Sequence, residues 1–543
     1  MNTVKLFIAL TLVTGLVLSI GPVSVAQTTA TTLTVDASTG TISLGDPCPT
    51  PTDSAVFKSL QAAIDCAQSG DTIVVRDGTY GETGQTGCNQ YQAAIVIEDL
   101  DNLTIQAAPG HEPKVKPVTG AEASIVSISI KNSDHLTIDN IDSDQTIAQW
   151  DNWHVCDSED LTVRNSTFEG GEDGIDFETS HTTALIEGNV FKDIVAGNGD
   201  EVLDFTDGSF SDIVIQDNVF TNNYRQITIS DEGGTPSNFM IRRNVMDGTM
   251  SQEAVRFIGT HDVTLENNVI MHSMQQGLYI DSRSTNINVW HNSFFNNGEE
   301  EIRTKVSGAD IVIKNNIIYA NGTHAAIAAS VSPLPGEDFN LIYNDGSETE
   351  TSSQPAVTAF GPHTITGLDP LFVSTVAGSE DLHLQSGSPA RGAGTDLVGV
   401  TEDIERHIRP NPAGSLPDAG AYEFEEPTAI TLASFTAEAG VGSVTLAWET
   451  AAEIDNAGFN LYRATAPDGP YTQINDALIA AQGSPASGAA YDFLDKGLPA
   501  GTCYYKLEDV DYNGAATLHG PTSATVALRL RRPLSRPTLP QGG

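Results

Sequence analysis

Six short segments between residues 173 and 305 repeat one arrangement, in which an apolar residue is followed by a polar one. Side chains alternate between the two faces of a strand, so an inward apolar residue places the next residue on the outside. The inward residues would be Ile175, Leu203, Ile227, Val255, Leu278 and Ile302. The outward residues that follow them are Asp176, Asp204, Thr228, Arg256, Tyr279 and Arg303. If the strands stack, these side chains form a column with an acidic end and a basic end.

Further carboxylates reinforce the acidic end. Two acidic residues stand three and four positions before Asp176, and two stand three and four positions before Asp204. Carboxylates stacked about 4.8 Å apart cannot all stay ionised unless a cation neutralises them or they share protons. Calcium takes about 6–8 oxygen ligands, so the pattern predicts a Ca²⁺ site, with a hydrated acidic loop as the alternative. The predicted ligands are Glu172, Asp173, Asp176, Asp200, Glu201, Asp204 and Asp207.

The basic end carries residues that could bind a negatively charged polymer. Arg256, Arg303 and Lys305 lie two to four segments from the acids, roughly 10–20 Å away at about 4.8 Å per segment. That span suits several sugar units. We therefore expect Tyr279, Arg303 and Lys305 to contact a polysaccharide.

Two other functions fit the same residues. A glycoside hydrolase would use Asp176 and Asp204 as its acid pair, because neighbouring strands match the roughly 5 Å gap of retaining enzymes. A non-catalytic glycan-binding protein, such as a cell-surface adhesin, would need only the groove and the aromatic residues Tyr279, Tyr224 and Trp290.

Four histidines lie at turns of the same region. They are His154, His261, His272 and His291. Since none has an evident nucleophile as its partner, a structural role is the favoured interpretation for each.

A repeat of about 24 residues shows how these segments are arranged. Each unit has a short Val/Ile-rich run, an Asn, an apolar pair, a polar turn and a second short run. The equivalent asparagines are Asn189, Asn218, Asn244, Asn268, Asn292 and Asn316. Short strands at this period predict one solenoid coil of about three strands per repeat, with the asparagines stacked inside as an amide ladder. The fold class is therefore all-β, a parallel β-helix.

The ends of this region resemble a known group of proteins. FKSLQAAIDCAQ, from Phe57, predicts an amphipathic helix with Phe57, Leu60, Ala63 and Ile64 on one face, and this helix could cap the first coil. The segment SLQAAIDCAQSGDTIVVRDGTY starts within it, at Ser59. With LDPLFV at Leu368 and DAGAYEF at Asp418, it resembles secreted right-handed β-helix proteins of the pectate-lyase-like superfamily. The resemblance covers residues 31–425 and implies a right-handed solenoid there. It does not fix an activity, because the fold carries many.

The acidic end is similar to the calcium site of family 9 polysaccharide lyases. Asp176, Asp200, Glu201 and Asp204 match that pattern by position. The resemblance implies cleavage of a polyuronate by β-elimination, in which a base removes the proton α to a carboxylate and a cation stabilises the anion. The family's base is a lysine, and this chain offers Arg225 and Arg256 instead.

The remaining segments suggest an exported protein. Residues 1–26, with Lys5 before an apolar run and small residues up to Ala26, predict a secretory signal peptide. Residues 427–527 have short alternating strands and resemble a fibronectin type III-like β-sandwich. Residues 528–543 are interpreted as a disordered basic tail. We expect an extracellular or cell-surface monomer without a membrane span in its mature form.

The net charge limits the kinds of binding partner, and the cysteines indicate which disulfide can form. The net charge is -45, which disfavours nucleic acid as a partner because its phosphates would be repelled. Cys48, Cys66 and Cys88 are close enough in sequence for one disulfide among them, with Cys48–Cys66 favoured. Cys156 and Cys503 are expected to be buried thiols.

Overall fold

The computed structural model describes most of the chain, with gaps at both ends and at several turns. The signal-peptide and basic-tail predictions, and Asp200, lie outside the described residues. The described ranges are 30–49, 56–81, 85–117, 125–146, 150–195, 201–306, 310–344, 354–412, 414–424, 430–454, 456–484, 487–511 and 516–527. The chain divides in sequence into two compact units, residues 1–424 and residues 425–543.

The first unit is a right-handed parallel β-helix, as the repeat and the resemblance predicted. In the described residues, three long sheets run along it, and each coil adds one strand to each sheet. The strands of sheet 1 are Thr32–Val35, Val56–Phe57, Thr72–Val75, Thr104–Ala107, Leu136–Asp139, Leu161–Arg164, His181–Glu187, Phe210–Gln216, Ser237–Arg242, His261–Glu266, Thr285–Trp290, Ile311–Lys314 and Glu337–Asp338.

Sheets 2 and 3 complete each coil. The strands of sheet 2 are Thr79–Tyr80, Lys114–Val115, Asp142–Asp144, Thr167–Glu169, Val190–Lys192, Val219–Asn223, Val245–Thr249, Val269–Met271, Ser293–Phe295, Ile317–Tyr319, Leu341–Tyr343 and Ile365–Thr366. The strands of sheet 3 are Gln85–Thr86, Gln92–Glu98, Ile125–Lys131, Trp153–Cys156, Ile175–Phe177, Leu203–Phe205, Ile227–Ser230, Val255–Ile258, Leu278–Ile280, Ile302–Thr304 and Ile327–Ala329.

The inside of the solenoid is a continuous apolar core in which like residues stack. Phe168, Phe191 and Phe220 stack on successive strands of sheet 2, with ring centroids 4.6 and 5.0 Å apart. All three are fully buried. The short helix Leu60–Cys66 closes the first coils, with Leu60, Ala63 and Ile64 buried as expected of a cap. Phe57, expected on the same helix face, belongs to a strand instead.

The predicted asparagine ladder is confirmed at the corner between sheets 1 and 2. Each ladder residue donates from its backbone N and its Nδ2 to the Oδ1 of its equivalent in the next coil, over 2.8–3.1 Å, from Asn189 through to Asn340. The residue before each ladder position has a positive φ, and Asn, Asp or Gly is frequent there because these residues tolerate the left-handed region. The ladder therefore satisfies the polar groups of a buried corner.

The parallel strands end at Thr366, earlier than the boundary of 425 expected from the resemblance. Residues 367–424 form a two-stranded antiparallel hairpin, Phe372–Ser374 with Asp381–Leu384, and an irregular segment. This closing segment packs apolar side chains such as Phe372 and Leu384 on the outer face of sheet 2. Its Arg409 is buried and donates to Asp418 O and Gly420 O.

Two disulfides lie at the N-terminal end of the solenoid. Cys48–Cys66 was predicted and is confirmed. The prediction that Cys156 is a free thiol is wrong, because Cys156 is bonded to Cys88. The two are 68 residues apart in sequence and meet only because the 3-10 turn Cys88–Gln90 folds onto sheet 3. Cys503 is a buried free thiol, as expected.

The second unit is a small β-sandwich of two antiparallel sheets. One contains Ile430–Ala439, Ser443–Glu453 and Ala490–Lys496; the other contains Asn456–Ala464, Thr472–Gln473, Ile479–Ala480, Gly501–Asp511 and Ala516–Val526. Trp448 and Phe459, from different sheets, meet in its core with ring centroids 5.5 Å apart. Its likeness to a fibronectin type III module stays a prediction. In the part of the chain that the structure describes, the helices are too short to span a bilayer.

The ladder yields a stability prediction. Asn268→Ala should lower the free energy of unfolding by about 2–4 kcal/mol, because it removes the buried acceptor of Asn244 N and Nδ2 and the donor to the carbonyls of Ile241 and Glu266. Asn288→Ala, on the outer face of the next coil, is the control and should change it by less than about 0.5 kcal/mol. Denaturant titration measures both. Equal effects of the two substitutions would contradict the role of the ladder.

Candidate functional site

The outward column of sheet 3 forms with the predicted register. In order along the solenoid, directly paired residues are His154, Asp176, Asp204, Thr228, Arg256, Tyr279 and Arg303. The inward residues before them, such as Leu203 and Val255, are fully buried. The acidic end and the basic end predicted from the sequence therefore lie on one face.

A second column runs beside the first, three residues earlier in each coil. Its members are Asp151, Asp173, Glu201, Arg225, Glu253, Gln276 and Glu300. Asp151 accepts a hydrogen bond from the backbone N of Asp173 over 3.1 Å, and Asp173 accepts one from the backbone N of Glu201 over 2.7 Å. Each carboxylate is thus tied to the coil that follows it.

The acidic cluster, defined here as Asp173, Asp176, Glu201, Asp204 and Asp207, concentrates negative charge. Burial, with Asp204 and other carboxylates nearby, raises the pKa of Asp176 to about 9. Burial, with Glu201 and Asp207 nearby, raises the pKa of Asp204 to about 8. The pKa of Asp173 is also raised well above its usual range, first by burial and then by its acidic neighbours.

The donor set of this cluster fits a hard divalent cation. All of its ligand atoms are carboxylate oxygens, which calcium prefers. One of them, Asp204 Oδ1, is buried and makes no hydrogen bond. Asp207 is exposed at its edge. A cation placed among these oxygens would supply the positive charge that the raised pKa values show to be lacking.

Arg225 lies between the two ends of the column and is almost fully buried. Its Nη1 forms a close ion pair with Glu201, and its Nε lies 3.6 Å from Glu253. Nη1 also donates to Thr228 over 3.4 Å. With only 4% of its side chain exposed, Arg225 supports Glu201 and has little surface to offer a substrate.

The basic end combines cations with an aromatic ring. Arg256 and Lys305 lie over the ring of Tyr279, at 5.9 and 5.2 Å from its centroid. Arg256 is 35% exposed and its Nε lies 3.4 Å from Glu253. Arg303 is more constrained, because its Nη2 pairs with Glu299 and with the buried Glu300. Arg256, Tyr279 and Lys305 therefore form the accessible part of this end.

The aromatic set expected for a non-catalytic binding groove is not brought together. Trp290 belongs to sheet 1, whereas Tyr279 belongs to sheet 3. Tyr224 lies in the turn before sheet 3, where its hydroxyl accepts a hydrogen bond from Gln252 over 3.5 Å. The three residues are close in sequence, but successive strands of one coil belong to different sheets and face different directions. Their rings therefore do not share one surface.

The sequence interpretation did not single out Asp151, and it placed His154 at a turn with a structural role, whereas His154 lies in the strand Trp153–Cys156 of sheet 3. His154 occupies the outward column one coil before Asp176, with Nε2 2.6 Å from Asp151 Oδ2 and 3.9 Å from Asp176 Oδ2. The step from Asp151 to His154 equals the step from Asp173 to Asp176, which was the available signal. The earlier coils differ in length, so the equivalence of these two pairs is not evident from a regular repeat in the sequence.

The other histidines have contacts that support a structural role. His291 is buried and bonded to Asn315 and Arg409. His261 bonds Thr285, and His272 bonds Asp247.

A loop from the N-terminal coils packs beside His154. The edge of the Tyr91 ring meets the imidazole, with centroids 5.0 Å apart, and Asn89 donates to Glu178. Glu178 Oε1 in turn lies 3.2 Å from His154 Nδ1. The Cys88–Cys156 disulfide attaches this loop to the strand that carries His154. The acidic end is thereby enclosed on one side.

Comparisons with known proteins agree with the coils seen here. A family model described as right-handed beta helix region matches residues 154–334. Among solved structures, the pectate lyase Pel9A is 13% identical, with 73% of this chain and 98% of that chain covered and a TM-score of 0.41. The A-module of the mannuronan C-5 epimerase AlgE6 from Azotobacter vinelandii is 16% identical, with 57% and 94% covered and a TM-score of 0.31.

A third solved structure, a rhamnogalacturonan lyase, is 11% identical, with 64% of this chain and 91% of that chain covered and a TM-score of 0.34. No curated protein sequence matches this chain significantly.

Glu301 differs from its neighbours Glu299 and Glu300 because it is buried away from Arg303. Both backbone N and Nδ2 of Asn297 donate to its carboxyl group. Burial raises the pKa of Glu301 to about 8, although these hydrogen bonds lower it in part. The folded protein therefore holds this proton more tightly than the unfolded chain, and the resulting stability is lost as pH rises towards 8.

The pKa of Glu301 gives a pH prediction. Glu301→Gln should remove one component of the pH dependence, so that its stability relative to the wild type rises by up to about 1.4 kcal/mol per pH unit between pH 5 and 8. Denaturation midpoints at several pH values measure this difference. The exposed Glu159→Gln is the matched control and should leave the profile unchanged. A constant offset between Glu301→Gln and wild type would contradict the prediction.

Proposed function

We propose that this chain is an extracellular carbohydrate-active protein that cleaves a polyuronate by calcium-dependent β-elimination. The observation that carries the proposal is the continuous register from the acidic cluster to the Arg256–Tyr279–Lys305 end on one face of the solenoid. A linear polymer can lie along such a face, because equivalent residues repeat at about 4.8 Å along it.

Calcium would be held by Asp173, Asp176, Glu201 and Asp204, with Asp207 at the edge and Asp200 as a further candidate. Bound there, it would supply positive charge for a substrate carboxylate and for the anion formed when the α-proton leaves. The buried Asp204 Oδ1 without a hydrogen-bond donor supports this use of the cluster. The negative surface of the protein makes such a bridging cation necessary for an acidic polymer to bind.

Arg256 is the residue proposed to act at the reacting carbon. Of the two arginines that the sequence offered, Arg225 is buried in ion pairs, whereas Arg256 reaches the groove. Glu253, 3.4 Å from its Nε, stabilises the protonated guanidinium, so Arg256 would stabilise the developing negative charge. The α-proton would pass to a solvent water molecule, and the glycosidic oxygen would leave, protonated by solvent, as the double bond forms. Arg225 would then position Glu201 and not touch the substrate.

The remaining contacts to the polymer would come from Tyr279 and Lys305, with Arg303 behind them. Tyr279 offers a ring face on which a sugar can pack, and Lys305 offers a charge for a second carboxylate. Arg303 would hold Glu299 and Glu300 and add to the local positive charge.

Export to an oxidising compartment is part of the proposal. The two disulfides of the first unit support it, since such bonds persist in extracellular proteins. A monomeric protein is proposed as well, because one groove on one chain suffices for this chemistry.

Calcium binding can be tested directly. We expect calorimetry to detect Ca²⁺ binding to the wild-type protein and to find it lost in Asp176→Asn combined with Asp204→Asn, since these residues are paired in register on adjacent strands of sheet 3. Asp212→Asn combined with Asp262→Asn, exposed carboxylates at a corner of sheet 1, is the matched control and should bind like wild type. Unchanged affinity in the first variant would refute the assignment.

Eliminative cleavage is tested by the ultraviolet absorbance of the unsaturated product, on a panel of polyuronates with and without Ca²⁺. Arg256→Ala should abolish product formation with the fold intact, Arg256→Lys should retain part of it because the charge remains, and Lys305→Ala should mainly raise KM. Arg164→Ala, a half-exposed arginine of sheet 1, is the control.

The alternatives give different outcomes in the same assay. New reducing ends without ultraviolet absorbance would identify a glycoside hydrolase that uses Asp176 and Asp204. Binding of the polymer without any product would leave a non-catalytic glycan-binding protein and refute the enzyme proposal.

A further inference from the structure

We propose that His154, Asp151 and Asp176 form a second cation site, for a transition metal of the Zn²⁺, Co²⁺ or Mn²⁺ class, one coil before the acidic cluster. The proposal does not depend on polysaccharide cleavage. It shares only Asp176 with the proposed calcium ligands.

The three side chains already converge. One ligand atom from each lies within 4.8 Å of the others. His154 Nε2 is 2.6 Å from Asp151 Oδ2 and 3.9 Å from Asp176 Oδ2. In a four-coordinate site with metal–ligand bonds of about 2.0–2.1 Å, neighbouring ligand atoms lie about 3.3 Å apart. The distance from His154 Nε2 to Asp151 is shorter than this value, and the distance to Asp176 is longer. A small side-chain movement would complete the geometry.

The second ring nitrogen of His154 lies beside a carboxylate, although it forms no hydrogen bond to it. Nδ1 lies 3.2 Å from Glu178 Oε1, and Glu178 is itself held by Asn89. In metal sites, a carboxylate next to the distal ring nitrogen fixes the tautomer and directs the lone pair of the other nitrogen at the ion. Here that lone pair would lie on Nε2, which faces Asp151 and Asp176.

The surroundings keep this arrangement rigid and short of positive charge. The side chains of His154 and Asp151 are only 2% and 9% exposed. Asp151 is fixed by the backbone N of Asp173, and the Tyr91 ring covers the imidazole. Within the described ranges, His154 is the basic side chain that lies within ion-pair distance of Asp151, Asp176 and Glu178. Two carboxylates and a neutral imidazole would match one divalent ion.

The donor chemistry separates this site from the acidic cluster. Calcium is bound almost exclusively by oxygen ligands, whereas a set of imidazole and carboxylate ligands suits first-row transition metals. Three protein ligands would leave at least one position open for water or for a ligand.

Cobalt provides the test, because its visible absorbance reports an ordered ligand set independently of any activity. Full-length protein, stripped with EDTA and then saturated with Ca²⁺, should take up one equivalent of Co²⁺ with a visible spectrum that Zn²⁺ abolishes. His154→Gln should remove that spectrum, and Glu178→Gln should weaken Co²⁺ affinity about 10–100-fold. His135→Gln, an exposed histidine, is the control for adventitious binding and should behave like wild type.

Two further variants separate this proposal from the calcium proposal. Asp204→Asn should impair Ca²⁺ binding and leave the Co²⁺ spectrum intact, whereas Asp151→Asn should do the reverse. If His154→Gln fails to fold, Asp151→Asn and Glu178→Gln still decide the question. The proposal is overturned if no Co²⁺ spectrum appears, or if the spectrum persists without Asp151. In that case the contacts of His154 with Asp151 and Glu178 have a structural role only.

Discussion

The hydrogen bond from one buried asparagine to the next fixes the register of the coils on which every other feature depends. Each Oδ1 accepts two N–H groups from the preceding coil, so an offset of one residue would leave several buried donors without partners. The same offset would turn every inward apolar residue outward. Once register is fixed, any residue type that recurs at one position of the repeat becomes a column. Phe168, Phe191 and Phe220 form such a column inside the solenoid.

Stacking equivalent residues in a column stabilises an apolar core, but it destabilises a surface on which the equivalent residues carry like charges. Stacked like charges repel at the spacing of neighbouring strands, and the chain handles this differently at the two ends of sheet 3. Arg225 stands between Glu201 and Glu253, so positive and negative charges alternate over these three positions of the second column. Asp176 and Asp204 are direct neighbours in the first column, without a basic residue between them in that column, and burial adds to their mutual repulsion. An uncompensated stretch of this kind is costly to maintain, which is why we propose a bound cation there.

Departures from the repeat turn a uniform solenoid into one with distinct faces. The closing segment covers the outer face of sheet 2, where Phe295 and Ile317 would otherwise be exposed, and its buried Arg409 ties it together. At the other end, the loop attached through Cys88 places Tyr91 and Asn89 beside His154 and Glu178. The regular coils supply the column, and these irregular segments decide which parts of it are enclosed.

The sequence by itself determined the solenoid, the ladder and the outward column, because a fixed period and a two-residue alternation translate directly into stacking and facing. From Asp176 to Arg303 each short strand repeats the same order of an inward apolar residue and an outward polar one, so the pattern predicts the register that the structure has. Tertiary structure alone decided which charges are paired, since the ion pairs of Arg225 and Arg303 depend on side-chain direction and burial. It also decided the Cys88–Cys156 bond and the position of His154, because unequal loops in the early coils hide equivalence in sequence while three-dimensional stacking restores it.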